Sequence, residues 1–114
     1  MTKIKTTIET FIDDISKFYD AKLWHFITLN GIEIDENEIE LQWIFSKYGV
    51  KDEITAFYAI ANFNQKIPSI THLIPSAIMS EREAVDMFGI DIEGAQKGLF
   101  LDNDSLKTPL RGIK

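Results

Sequence analysis

The densest group of side chains able to do chemistry is Glu81, Arg82, Glu83 and Asp86. On a helix, Arg82 and Asp86 stand four apart and can pair, while Glu83 and Asp86 stand three apart on neighbouring faces. Two carboxylates could serve as general acid and base, or bind a hard cation. The spacing specifies neither. Carboxylates in a first helical turn also complement the helix dipole. The residue chemistry alone therefore favours a capped, solvated helix face over a site.

The remaining reactive residue types are sparse. His25 and His72 lie far apart in sequence, and neither has the i+3 or i+4 histidine of a helical metal pair. Both are expected to be structural or exposed. There is no cysteine, which excludes disulfides, thiolate zinc sites and cysteine-ligated iron–sulfur clusters. No G-x-S-x-G elbow, Walker A motif or Rossmann fingerprint occurs. Gly89, Gly94 and Gly98 are evenly spaced, but no helix pattern follows them, so they read as turn glycines.

The chain has 114 residues, the size of one domain with one core. Its net charge of −6, with no basic run, disfavours binding to nucleic acid or to an anionic membrane surface. The first residues lack the apolar stretch of a secretory signal, and no apolar run is long enough to span a bilayer. A cytoplasmic setting without membrane insertion is expected.

These residues need elements to position them. Ile4, Ile8, Phe11, Ile12, Ile15, Phe18 and Tyr19 recur at offsets of three and four, predicting an amphipathic helix over 4–19. Residues 23–29 have strand chemistry, and Asn30-Gly31 is a turn signal. Ile39, Leu41, Trp43 and Phe45 alternate with polar residues, predicting a half-buried strand. After a turn at 49–52, residues 54–63 predict a more central strand, apolar on both faces. The short connections imply antiparallel neighbours. Residues 66–75 read as a connection, punctuated by Pro68 and Pro75. A helix is expected within 76–88, capped by Ser80 with Glu83 or by Ser76 one turn earlier, and closed by Gly89. The prediction is an α+β domain over 1–93, with an N-terminal helix, an antiparallel sheet of at least three strands and a second helix. An extended tail over 94–114 follows, anchored by Leu99, Phe100 and Leu101.

The segment from Ile74 to Ile90 resembles the signature of the thirty-kilodalton subunit family of respiratory complex I. The matching positions are Ala77, Glu81, Arg82, Glu83, Asp86, Met87, Phe88, Gly89 and Ile90. Gly94, Leu99-Phe100-Leu101, Asp104 and Pro109-Leu110-Arg111 look like the family's continuation. Ala95-Gln96 stand where the family usually has His-Pro. In size the chain is similar to the corresponding small subunit of energy-converting, membrane-bound nickel–iron hydrogenases. The resemblance implies a peripheral subunit without a cofactor of its own. It would dock on the large catalytic subunit, near the small iron–sulfur subunit, on the inner face of the cell membrane. It also changes the reading of Glu81, Arg82, Glu83, Asp86 and Gly89. They become partner-binding residues, with Arg82 as a planar fork able to grip a carboxylate or carbonyl. An internal brace, with Arg82 and Asp86 holding the helix to its own sheet, fits the same residues. So does a stand-alone ligand-binding or enzymatic domain using Glu81, Glu83 and Asp86.

Overall fold

The computed structural model describes residues 1–94. Strand β1 (Thr2–Lys5) leads to helix α1 (Phe11–Phe18), then to strands β2 (Trp24–Glu33), β3 (Glu38–Lys47) and β4 (Ile54–Asn62). A two-residue strand β5 (Lys66–Ile67), a 3-10 turn (Pro75–Ala77), helix α2 (Ile78–Phe88) and strand β6 (Asp91–Ile92) complete the order. The main sheet runs β1-β4-β3-β2. Both β2–β3 and β3–β4 are antiparallel, whereas β1 joins β4 in parallel. The α+β class and the two helices match the sequence reading, and the sheet is mixed rather than wholly antiparallel.

The alternating strand behaves as its period requires. Ile39, Leu41, Trp43 and Phe45 are each no more than 1% exposed. They face Phe57, Ala59 and Ala61 of β4 on the same side of the sheet. Helix α1 packs there, burying Phe11 and Ile15 completely. The Phe11 ring stacks on Trp43, with centroids 4.2 Å apart and planes at 16°. Phe18 adds edge contacts to Phe45 at 5.4 Å and Phe57 at 5.0 Å. Such aromatic geometry adds roughly 0.5–1.5 kcal/mol per pair beyond area burial.

Several expectations need correction. The predicted helix over 4–19 begins only at Phe11. Ile4 fits the helical period by coincidence, and its strand instead pairs with β4. The β-branched Thr6 extends that pairing, its N–H donating to the Tyr58 carbonyl at 2.8 Å. The chain turns at Thr7, whose hydroxyl accepts from the Thr10 N–H at 3.2 Å.

Asn30-Gly31 is not a turn either. Both lie inside β2, opposite Gln42 and Leu41. The hairpin turns at Asp35, whose Oδ1 accepts the N–H groups of Asn37 at 2.8 Å and Glu38 at 2.9 Å. Gly31 serves close packing. A Cβ there would lie 2.9 Å from Ile39 Cδ1 and 3.2 Å from the Phe88 ring of α2. Replacing Gly31 by Val should therefore cost ~1–3 kcal/mol by overpacking. A thermal melt reads this, and an unchanged midpoint would mean that α2 does not press on this strand.

Neither serine caps α2. Ser76 lies in the 3-10 turn, Ser80 is the third residue of the helix, and Ala77 at the N-cap makes no side-chain bond. Ala77 is already helical at φ −72°, so the turn begun at Pro75 runs straight into α2. The C-terminus is as expected. Gly89 takes the left-handed conformation at φ 71° and donates its N–H to the Val85 carbonyl at 3.0 Å. Beyond it, β6 pairs in parallel with β5, placing a short strand inside the segment read as a plain connection. Buried Ile67, Ile70, Ile74, Ile90 and Ile92 extend the core beneath α2. The tail anchor at Leu99, Phe100 and Leu101 lies outside the described residues. Among the described residues, no helix is long and apolar enough to cross a membrane.

Candidate functional site

Pro75 and Gly89 fix where α2 starts and stops, and β5–β6 pin the chain on either side of it. Glu81 consequently points inward and is only 3% exposed. Its Oε1 accepts the Ser69 hydroxyl at 2.6 Å, and its Oε2 accepts the buried Ile70 N–H at 2.8 Å. Ser69 has one hydroxyl proton, spent on Glu81, so the 2.8 Å contact with Thr71 is a donation from the Thr71 hydroxyl. The Thr71 N–H also donates to Ser69 Oγ at 3.1 Å. The carboxylate thus clasps the 69–71 loop onto α2.

Burial pushes the Glu81 carboxyl above its ordinary value of 4.5, against the opposing pull of Ser69, Ile70 and nearby His72. A carboxyl raised on folding binds its proton more tightly in the native state. Its contribution to stability is then present below the ordinary value and is lost as pH rises through the raised one. Glu81→Gln keeps an acceptor for Ile70 and cannot ionise. Its melting temperature should gain on wild type over the range that opens at about pH 4.5 and runs upward. A constant difference across that range would mean that burial does not perturb Glu81.

The other residues of the cluster diverge. Asp86 is buried at 3% exposure, Arg82 is half-buried and Glu83 is exposed. The solvated-face reading holds at Glu83 and fails at Glu81 and Asp86. Among the described residues, no three His, Asp or Glu side chains gather into a metal site. His25 and His72 are both exposed. Arg82 carries the unexplained feature. Its Nε is buried and, among the described residues, has no hydrogen-bond partner. It borders a small depression, partly open to solvent, walled by Ser69, Thr71, Ile78, Glu81 and Glu93. The sequence reading missed Ser69, Thr71 and Glu93. The hydroxyl pair after Pro68 was visible, but nothing linked it to a carboxylate twelve residues on.

The profile of the respiratory-chain NADH dehydrogenase 30 Kd subunit family matches residues 4–112, which contain α2 and its cluster. The chain belongs to that family. A curated relative, the C/D 2 subunit of NADH-quinone oxidoreductase from Aquifex aeolicus (strain VF5), is 28% identical over 86 residues. The match covers 74% of this chain and 15% of the much longer relative. Two solved structures share the 30 Kd subunit fold seen here. A trypsin-resistant fragment (1–134) of Nqo5 superposes with a TM-score of 0.60 at 20% identity, covering 83% of this chain and 80% of its own. A chain of the membrane-bound sulfane sulfur reductase, an archaeal respiratory membrane complex, gives 0.64 at 16% identity, covering 91% and 61%.

Proposed function

We propose that this 30 Kd-family chain is a non-catalytic docking subunit of a membrane-associated, complex I-like respiratory assembly. It sits on the large catalytic subunit of a hydrogenase or NADH dehydrogenase-like complex, on the cytoplasmic side, and supports electron transfer that runs through neighbouring subunits. The family match over residues 4–112 carries this reading. Within the cluster, Glu81 and Asp86 hold α2 in place, Gly89 sets the turn, and Arg82 with exposed Glu83 meets the partner. The divergence of Glu81, Glu83 and Asp86 speaks against acid–base work by the three together, because their carboxyls do not face a shared point.

The test is elemental analysis of the purified chain beside an absorption spectrum. The expected preparation is colourless, without stoichiometric iron, nickel, zinc or flavin. A bound metal that leaves together with an activity on chelation would overturn the docking role.

A further inference from the structure

Asn30-Gly31 lies inside β2 rather than at a turn, and it is the only place in the chain where an asparagine or aspartate precedes glycine. Such a pair has a chemistry of its own. The glycine nitrogen attacks the asparagine side-chain carbonyl carbon, the amide C–N bond breaks, and ammonia leaves with the proton of the glycine N–H. The product is a five-membered succinimide. Water then adds to one of its two carbonyls. The ring opens to aspartate, or to isoaspartate, whose main chain runs through the side chain and is one methylene longer. Glycine favours the attack because it has no Cβ to crowd the nitrogen.

The fold holds this pair in the wrong shape to react. Ring closure needs Asn30 Cβ and the Gly31 nitrogen nearly eclipsed about the Cα–C bond. An antiparallel strand, with ψ near +135°, keeps them about 100° apart. Asn30 stands opposite Gln42 of β3, and its Nδ2 donates to Gln42 Oε1 at 3.4 Å. It must leave this ladder before the ring can close. In the main sheet β2 is an end strand paired with β3 alone, so it can open while the other strands stay together. The glycine is fixed by packing, since a Cβ there would lie 2.9 Å from Ile39 Cδ1 and 3.2 Å from the Phe88 ring. The same packing does not accept a longer main chain. One extra methylene at residue 30 moves Gly31 out of that gap. It also takes Gly31, Ile32 and Glu33 out of register with Leu41, Glu40 and Ile39.

We infer that Asn30-Gly31 is a latent self-modification site, sealed while β2 is in the sheet and converted through succinimide and water to isoaspartate once the strand detaches. The iso-linked chain cannot rejoin the sheet, so Asn30 turns a reversible opening of β2 into a permanent one.

The experiment incubates the full chain at mildly alkaline pH, in buffer and in urea above the unfolding midpoint. Peptide mass mapping reads the amide-to-acid conversion at Asn30, and isoaspartate-specific enzymatic methylation reads the linkage. Conversion should be at least about tenfold faster in urea than in buffer. Equal rates would show that the strand does not seal the site and would overturn the inference. So would an Asn30 that stays intact in urea, or an equal gain of isoaspartate in Asn30→Gln, whose six-membered ring closes slowly. Dilution from urea reads the second half. Chains with asparagine or ordinary aspartate at position 30 should return to the native elution volume, and isoaspartate chains should not. Asn30→Asp carries the same charge on an ordinary main chain and should melt near wild type. Isoaspartate chains in the native fraction, or an Asn30→Asp that fails to fold, would contradict the role given to the extra methylene.

Discussion

Trp43→Asp should leave the protein insoluble or unfolded. Trp43 is 1% exposed, on an interior strand between Leu29 of β2 and Phe57 of β4. Its indole also carries the stack with Phe11 that seats α1 on the sheet. Truncating a buried aromatic costs ~3–5 kcal/mol, and an unpaired buried carboxylate adds to that. A domain of this size has only about 5–15 kcal/mol in total. Soluble yield and a thermal melt read the effect, with Trp43→Phe as the milder control. A Trp43→Asp protein melting within a few degrees of wild type would mean that the strand is slipped by one residue.

Arg82→Ala should separate assembly from folding. Among the described residues Arg82 Nε has no hydrogen-bond partner, so the substitution breaks no hydrogen bond to Nε there. The melting temperature should move little. If Arg82 meets the partner as proposed, the group it reaches is left desolvated in the complex, a loss of ~2–5 kcal/mol of binding. Co-purification with the large subunit, run beside a melt of the isolated variant, reads both. A large drop in melting temperature with normal co-purification would make Arg82 an internal brace.

The sheet core was legible because period two survives wherever one face is buried. Ile39 to Phe45 announced their register, and Gly89 announced the end of α2. The errors share a different cause. Ile4 and Gly31 are ambiguous locally, and long-range packing decides them: Ile4 by pairing with β4, Gly31 by the approach of Phe88. Ser76 and Ser80 looked like caps, but Pro75 had already begun the turn. The cluster on α2 was visible as a set of residue types. Its division into an inward Glu81, an outward Glu83 and a half-buried Arg82 was not, because it depends on the 69–71 loop folding against the helix.

The most direct test of the docking role is native mass spectrometry of the complex isolated from its host's membrane fraction through a tag on this chain. The expected result is one copy of the chain bound to one copy of the large catalytic subunit, with the metal centres carried by the other subunits. Recovery of the chain alone, or only as a homo-oligomer, would contradict it.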